Sequence, residues 1–337
     1  MRIGSGEHTY EWVEDWARIP DTESARTGWA HSGVAVSSTG DVFTFHQGEP
    51  AMLAFNQRGE LARSWRGEVG AAHAITLVRE RDMEYLWLAD NGARRAPAAG
   101  YEYQPWDRGS QAIKTGLDGR TMMRLERPDL PVYREGRYSV TSVAVFEERF
   151  GGNGDIWVAD GYGQSYVHRY DRTGRYLGSI NGEEGRAGAF KTPHAVFVDV
   201  RKPDPELYVA DRSNRRVQVY DLDGRFKRSF GEDFMTSPSA FVVDGDHLVI
   251  AELRARLTVV DGADRLVCYL GENEAACQVP GWPNNKNAAG EPVRNAQLTP
   301  GKFNSPHGLG IDARGNLYVS EWLIGGRTIK LAKVSGI

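Results

Sequence analysis

Histidines recur at one register of a repeated segment, with a spacing that could hold a metal ion. They are His73, His194 and His307, which begin alternate copies of the segment. Small hydroxyl residues occupy the equivalent positions of the other copies: Ser32, Thr141 and Ser239. Three neutral imidazoles with one open coordination position are typical of a catalytic Zn²⁺ site, and they also suit other first-row metals. The sequence therefore predicts a metal centre held by the three histidines.

Each histidine taken alone has a simpler interpretation, as a side chain that caps a turn by hydrogen bonding. The metal hypothesis depends on three of the eight histidines sharing one register. If the copies surround one axis, alternate copies would place the three imidazoles around it.

A second recurring set ends the next apolar segment of each copy and is mostly acidic. It consists of His46, Asp90, Asp160, Asp211, Glu252 and Glu321. These side chains would either accept hydrogen bonds from the backbone N–H groups of the following turn or orient the metal-binding histidines. They would also make that end of the molecule electronegative, which favours a cation.

Further side chains are candidates for the chemistry. Tyr162 is predicted to act as a general acid or base, the alternative being a turn aromatic that packs on the next copy. Arg212 would orient an anionic group or else form a surface salt bridge. His46 would contact substrate or be a fourth metal neighbour, whereas His31, one position off the register, is expected to be structural.

The repeated segment is clearest from Thr192 to Phe230, where turn residues separate four short apolar stretches. Alternating and β-branched residues predict strands, and Asp223-Gly224 predicts a hairpin turn. Six copies have equivalent positions 32, 73, 141, 194, 239 and 307, which are 41, 68, 53, 45 and 68 residues apart. Because one copy cannot bury its own faces, the sequence predicts an all-β, six-bladed β-propeller.

The last copy is one strand short. We expect the N-terminal segment His8–Trp16 to pair with it and close the ring, which would remove exposed sheet edges. The chain is predicted to be a single domain over residues 1–337, with loop insertions at about 91–138 and 272–303. A hairpin is predicted at Ala112–Leu125, inside the first insertion.

Composition and charge narrow the class of partner. The net charge of −4 and the pI near 6.1 argue against nucleic-acid binding, because no basic stripe is present. No apolar run approaches the length of a membrane span, and no signal peptide is expected. Cys268 and Cys277 could form a disulfide, but two unpaired thiols in a cytoplasmic protein are the favoured interpretation. The expected partner is a small-molecule substrate, and nothing indicates an oligomeric state.

The repeat resembles that of NHL-type six-bladed propellers over nearly the whole chain, and more narrowly the peptidyl-α-hydroxyglycine α-amidating lyase family. That family holds zinc on Pro-His-type blade starts, so the resemblance implies zinc on His73, His194 and His307, although His73 follows Ala. The segment Asp160–Tyr162 matches an Asp-Gly-Tyr motif whose Tyr acts at the metal, and Ala210–Arg212 matches as well.

Two positions depart from the family pattern. Where the family has Phe-His-Arg-Gly, this chain has Gln47 in place of the Arg, and an amide cannot replace a guanidinium that clamps a carboxylate. The family's acidic residue after the third histidine, which helps hold calcium, is Gly308 here, so a structural calcium is not expected. The resemblance thus implies a similar reaction centre with a different substrate, or a centre that has lost catalysis.

These observations favour a metal-dependent lyase with Zn, or alternatively Fe, as its cofactor. It would cleave a carbon–nitrogen or carbon–oxygen bond, or add or remove water, in a small hydroxylated substrate. A first alternative is a non-catalytic NHL propeller that binds a peptide, a protein or a small ligand. A second alternative is a lactone hydrolase-like six-bladed propeller, against which the histidine register argues because such sites rely on carboxylate and Asn ligands.

Overall fold

Short strands joined by tight turns account for most of the chain, as the alternating and β-branched patterns predict. The computed structural model describes residues 1–49 and 51–334. Within these residues the strands form six sheets of four or five strands, called blades 1 to 6 here, and two small two-stranded ribbons. The chain is a six-bladed β-propeller, as predicted.

Blades 1 to 3 each contain four antiparallel strands that neighbour one another in chain order. Blade 1 comprises Ala35–Val36, Val42–His46, Ala51–Phe55 and Leu61–Trp65. Blade 2 comprises Ala72–Glu80, Met83–Asp90, Gln111–Gly116 and Thr121–Leu125. Blade 3 comprises Ser142–Val145, Ile156–Asp160, Tyr166–Tyr170 and Tyr176–Ile180.

Blades 4 and 5 repeat this order, and blade 6 adds strands from the N-terminus. Blade 4 comprises Pro193–Asp199, Glu206–Asp211, Arg216–Tyr220 and Phe226–Phe230. Blade 5 comprises Pro238–Asp244, His247–Glu252, Arg256–Val260 and Leu266–Leu270. Blade 6 comprises Pro306–Ile311, Leu317–Glu321, Arg327–Lys333, Tyr10–Val13 and Arg2–Ile3.

The predicted pairing of the N-terminal segment with the last blade is confirmed. Tyr10 pairs with Lys333 and Val13 with Lys330, in antiparallel register. A further strand, Arg2–Ile3, was not predicted from the sequence. It pairs with the outer side of Tyr10–Val13. Blade 6 therefore joins strands from both ends of the chain.

The first predicted insertion is shorter than expected. Its predicted hairpin exists, but Gln111–Gly116 pairs directly with Met83–Asp90, so the hairpin is the outer half of blade 2. The prediction was wrong because the loop inside blade 2 separates its second and third strands by twenty residues, 91 to 110. That loop holds the ribbon Ala93–Arg95 with Tyr103–Pro105.

Helices are few and short. The described α-helix is Glu23–Thr27. The 3₁₀ turns are Gly6–His8, Pro97–Ala99, Pro131–Tyr133, Glu148–Phe150, Arg212–Asn214 and Glu274–Gln278. The helices of the described residues include none with the length and apolar character needed to cross a membrane. The predicted second insertion carries the last 3₁₀ turn and the ribbon Asn285–Lys286 with Pro292–Val293.

The chain divides into two compact units. Unit 1 contains Met1–Ala71, Ala93–Pro105 and the chain from Phe241 onward, and unit 2 contains Ala72–Gly92 and Trp106–Ala240. The single-domain assignment stays a prediction.

Each unit has buried aromatic and aliphatic side chains between its sheets. In unit 2, Trp157 and Tyr220 belong to a cluster built from blades 3 and 4. In unit 1, Trp16 and Tyr318 pack edge to face at 4.8 Å beside Phe55. Burying each large side chain of this kind stabilises the fold by about 2 kcal/mol. Cys268 and Cys277 are free thiols, as favoured from the sequence.

Candidate active site

Each of the three predicted histidines is the extra residue of a β-bulge at the start of its blade. In blade 4, Pro193 pairs with Asp211 and Ala195 with Ala210, so His194 has no residue opposite it. The same shift of register falls at His73 in blade 2 and at His307 in blade 6. A bulge re-aims a side chain and ends regular pairing, which is why bulges are frequent beside active sites.

A backbone carbonyl fixes the orientation of every one of these imidazoles. The Nδ1 atom of His73 lies 2.7 Å from the carbonyl oxygen of Thr141, and Nδ1 of His194 lies 2.9 Å from that of Ser239. In unit 1, Nδ1 of His307 lies 3.2 Å from the carbonyl oxygen of Ser32. A carbonyl only accepts, so each Nδ1 carries the hydrogen and each Nε2 presents a lone pair.

These carbonyls belong to the hydroxyl positions that alternate with the histidines along the sequence. No residue pattern indicates this role, because the backbone supplies the acceptor and any residue type could stand there. The hypothesis that carboxylates orient the histidines was therefore wrong: the acceptors at Nδ1 are carbonyls.

Three of the recurring carboxylates instead accept hydrogen bonds from backbone N–H groups, either of the following turn or of the segment that leads into the first strand of the same blade. Asp90 accepts from the Gly92 N–H at 2.9 Å, and Asp211 accepts from the Lys191 N–H at 2.7 Å. Glu321 accepts from the Ser305 N–H at 2.9 Å. Asp90 thus shows the simpler of the two predicted roles, whereas Asp211 and Glu321 bind the segment before the first strand of their blade and not the turn that follows their own strand.

Unit 2 brings four of the predicted site residues together, and we call them the Tyr162 cluster: His73, Tyr162, His194 and Arg212. The Tyr162 hydroxyl lies 3.2 Å from Nε2 of His73 and 3.1 Å from Nε2 of His194. The two imidazole rings are 4.7 Å apart between centroids. A guanidinium nitrogen of Arg212 donates to the Tyr162 oxygen at 3.2 Å, and the guanidinium lies 5.3 Å from the phenol ring centre.

The direction of these hydrogen bonds follows from proton counting. Arg212 can only donate, so the Tyr162 oxygen accepts from it. The Tyr162 hydrogen then points to one of the two Nε2 atoms, and one phenol hydrogen can serve only one of them at a time. The cluster thus combines a fixed cation, an exchangeable proton and two imidazole lone pairs that converge on one oxygen, which suits proton transfer and metal binding.

Close backbone approach explains why a glycine precedes Tyr162. A Cβ atom at Gly161 would lie 2.3 Å from the carbonyl oxygen of Pro193 and 2.5 Å from Oγ1 of Thr141. Only glycine therefore lets the turn between the second and third strands of blade 3 lie against the start of blade 4. This close packing places the Tyr162 hydroxyl 3.1 Å from Nε2 of His194.

The turn before His194 is strained. Thr192 has a left-handed φ of 62°, which is unfavourable for a β-branched residue. Its carbonyl accepts from the Arg212 N–H at 3.1 Å, at the start of the Arg212–Asn214 turn. The strain is therefore part of the structure that holds His194 and Arg212 in position.

His307 and His46, the other predicted site residues, belong to unit 1. His307 packs edge to face against His31, with ring centroids 4.5 Å apart, and His31 also packs on Trp322. Both histidines are buried. His31 thus contacts His307, a predicted metal ligand, directly. Its position one residue off the register did not indicate this contact.

His46 is buried at the end of a strand, and burial lowers its pKa below the usual value. Its Nδ1 accepts from the Gly48 N–H at 3.2 Å, which is a turn contact. Next to it, Gln47 is 3% exposed and donates to the carbonyl oxygen of His31 at 3.4 Å.

Gly308 cannot be replaced by an acidic residue without moving the backbone. A Cβ atom there would lie 2.5 Å from the carbonyl oxygen of Ser32 and 2.5 Å from Oγ of Ser320. The packing of blade 6 against the start of blade 1 therefore requires glycine at this position.

Comparisons with known proteins agree with this architecture. The chain is 28% identical over 240 residues to NHL repeat-containing protein 3 of Homo sapiens, a match that covers 67% of this chain and 63% of that protein. The Mus musculus protein of the same name is 27% identical over 241 residues, with the same coverage. A probable peptidyl-α-hydroxyglycine α-amidating lyase of Caenorhabditis elegans is 37% identical over 209 residues, covering 56% of this chain and 55% of that protein. The chain thus spans less than two thirds of the length of these relatives.

Solved structures show the same fold at low sequence identity. Streptogramin B lyase superposes with a TM-score of 0.57 at 13% identity, covering 97% of this chain and 99% of that one. Virginiamycin B lyase of Staphylococcus aureus gives a TM-score of 0.55 at 13% identity, covering 96% of this chain and all of that one. No protein-family model matches. The chain is a six-bladed β-propeller whose homologues are NHL-repeat proteins, including an amidating lyase-like protein.

Proposed function

We propose that the Tyr162 cluster is the reaction centre of a metal-dependent lyase. The reaction would break a carbon–nitrogen or carbon–oxygen bond, or add or remove water, in a small hydroxylated substrate. The observation that carries this proposal is the convergence of His73 Nε2, His194 Nε2 and the Arg212 guanidinium on one phenol oxygen. The 37% identity to a probable amidating lyase of C. elegans supports the same reaction class.

The donor set fits a first-row divalent metal. The Nδ1 bonds to carbonyls leave both Nε2 lone pairs directed at the same region, as neutral imidazole ligands require. We assign His73 and His194 as ligands of zinc, or alternatively of iron, and the sequence register adds His307 as the third. When bound, such an ion supplies Lewis acidity.

The side chains of the cluster then account for proton movement. When the bond to the leaving heteroatom breaks, a substrate hydroxyl on the same carbon loses its proton and the leaving atom gains one. Tyr162 would give its phenol hydrogen to the leaving atom and take up the hydrogen of the substrate hydroxyl, while Arg212 stays hydrogen-bonded to its oxygen. Arg212 would also bind an anionic group of the substrate.

The substrate is expected to differ from a carboxylate-bearing hydroxyglycine. Gln47 stands where the resemblance implies an arginine, and its buried amide is used on the backbone of His31. We infer that a small hydroxy compound without a carboxylate is turned over better than an α-hydroxyglycine derivative. A Gln47→Arg variant should shift that preference toward the carboxylate.

Elemental analysis tests the metal assignment. Tag-free parent protein should contain zinc or iron, and a His194→Ala variant should lose one equivalent. The matched control is Ser239→Ala, which keeps the carbonyl that holds His194 and should keep the metal. A parent without transition metal, or a His194→Ala variant with unchanged content, would contradict the assignment.

A second candidate is a non-catalytic propeller that binds a peptide, a protein or a small ligand. The replacement of the expected arginine by Gln47 favours it, since a lost guanidinium is one way to lose catalysis. It predicts no turnover of either substrate class by the metal-loaded parent.

The cytoplasm remains the predicted location. Two free thiols, Cys268 and Cys277, suit a reducing compartment. Cell fractionation tests this expectation.

A further inference from the structure

A buried histidine near the N-terminus lacks the partners that buried polar groups normally have. His8 ends the 3₁₀ turn Gly6–His8, just before the N-terminal strand of blade 6, and is 3% exposed. Neither of its ring nitrogens has a hydrogen-bond partner within residues 1–49 and 51–334. An imidazole buried without a partner loses the hydrogen bonds that it makes with water, so such a group calls for a ligand, an ion or a water molecule.

Two further metal-ligating side chains surround His8, both within unit 1. His247, the first residue of the second strand of blade 5, meets the His8 ring edge to face, with centroids 4.5 Å apart. The Glu7 carboxylate lies 4.0 Å from Nε2 of His247. One ligand atom from each of Glu7, His8 and His247 lies within 4.8 Å of the others.

The charged side chains next to this group bind one another, so we do not count them among its possible metal ligands. Asp244 binds the Lys333 ammonium at 2.6 Å and accepts from the Tyr10 hydroxyl at 2.9 Å. Glu7 is therefore the carboxylate of this group that is left for a cation.

We propose that Glu7, His8 and His247 form a second divalent transition-metal site, distinct from the Tyr162 cluster. Two imidazoles and one carboxylate are a ligand set for Zn²⁺, Co²⁺ or Ni²⁺, and a water molecule completes a four-coordinate site. Ligand atoms around such an ion lie about 3.3 Å apart, given bonds of about 2.0–2.1 Å. The ligand atoms of the group can reach this spacing by a movement of Glu7, because its side chain is 70% exposed and can rotate inward.

The site would fasten the N-terminal segment to blade 5. Glu7 and His8 precede the strand that completes blade 6, while His247 belongs to a different blade. A metal that binds all three side chains binds only the folded arrangement, so it raises the melting temperature by mass action.

The test is isothermal titration with ZnCl₂ alone, on tag-free full-length protein. A His73→Ala/His194→Ala background disables the proposed active-site metal and isolates the new site. We expect it to bind one equivalent of Zn²⁺ and to gain in Tm. Adding Glu7→Gln should weaken binding at least tenfold, and adding His247→Gln should abolish it. The control Glu11→Gln, an exposed residue of the neighbouring strand, should bind as the background does.

A background that takes up no Zn²⁺ overturns the proposal, as does one whose binding survives His247→Gln. Co²⁺ absorption spectra of the otherwise unmodified protein provide a second measurement if the background folds poorly. His247→Gln should then remove one of two sets of visible bands, and an unchanged spectrum would refute the site. If the otherwise unmodified protein bound a single Co²⁺, and His247→Gln abolished that binding, the proposed reaction centre would be refuted and this site would stand.

Discussion

Two groups in unit 2 each join a tyrosine hydroxyl to histidine, one in an open arrangement and the other in a closed one. The first is the Tyr162 cluster. The second group, called the Tyr133 network, consists of Asp160, Tyr133, His168 and Ser179. Here the Tyr133 hydroxyl donates to Asp160 at 2.7 Å and lies 2.7 Å from Nε2 of His168, whose Nδ1 lies 2.7 Å from the Ser179 hydroxyl.

The two groups differ in whether their polar atoms are closed off from water. Tyr133 is 4% exposed and His168 is fully buried, so the network satisfies its own polar groups and excludes water. Burial lowers the pKa of His168 to about 3 and raises that of Asp160 to about 6. Tyr162 is half-buried, so its side chain is not closed off from solvent. A His–Tyr pair can therefore exchange protons with a bound molecule only where the pair is left open to solvent.

The largest expected effect distinguishes the two tyrosines by activity. A Tyr162→Phe variant should lose about 10²–10⁴-fold in kcat, since it removes the proposed acid–base group. Tyr133→Phe removes the same atom from the closed network and should keep the kcat of the parent. Steady-state kinetics on hydroxy compounds with and without a carboxylate measures both, and equal losses would break the comparison.

The pH dependence of stability tests the burial of His168. Its folded pKa of about 3 is below the unfolded value of 6.5, so its contribution is complete above pH 6.5 and falls progressively toward pH 3. The loss amounts to about 1.4 kcal/mol per pH unit. Urea unfolding should show the stability difference between parent and His168→Gln shrinking by about 3 kcal/mol from pH 7 to pH 4.

Asp160 acts in the opposite direction in the same experiment. Its folded pKa of about 6 exceeds the unfolded 3.8, so its contribution is present below pH 3.8 and is lost as the pH rises through 6. The difference in unfolding free energy between the parent and His168→Gln does not contain the Asp160 contribution, because both proteins retain Asp160. A difference that stays constant with pH would show that His168 is not buried as a neutral ring.

A smaller effect concerns stability at neutral pH. Tyr133→Phe should lower the free energy of unfolding by about 1–3 kcal/mol, because it leaves Asp160 and His168 without their shared partner. Tyr162→Phe, at a half-buried position, should change it by less than about 1 kcal/mol. The reverse order in thermal or urea unfolding would mean that the Tyr162 cluster is structural.

The smallest effect is spectroscopic and changes no energy. Tyr133 gives its hydrogen to Asp160, so His168 must donate from Nε2 and accept at Nδ1 from Ser179. His73 and His194 carry the hydrogen on Nδ1 instead. Long-range ¹H–¹⁵N correlation spectra of the metal-free protein should show the two opposite tautomers. One common tautomer would contradict the assigned hydrogen-bond directions.

Much of this molecule was predictable because repetition amplifies weak signals. One apolar stretch such as Glu206–Asp211 is ambiguous, but six copies with turn residues between them specify a propeller and its strand order. The missing strand of the last copy likewise predicted the pairing of Tyr10–Val13. The outer hairpin of blade 2 was misplaced because a long loop interrupts the repeat there.

The site was predictable in its residues and not in its geometry. The shared register identified His73 and His194, and a motif resemblance identified Tyr162. Nothing in the sequence showed the β-bulges that re-aim the histidines. The contact between His8 and His247 was equally invisible, since those residues are far apart in the chain and share no register.

The sequence by itself determined which residues repeat, because alternation and turn chemistry are local properties of the chain. Only the tertiary structure decided which histidine is buried in a closed network and which presents a lone pair. Hydrogen-bond partners such as the Thr141 and Ser239 carbonyls come from neighbouring blades, and a backbone acceptor leaves no mark on the amino-acid type that carries it.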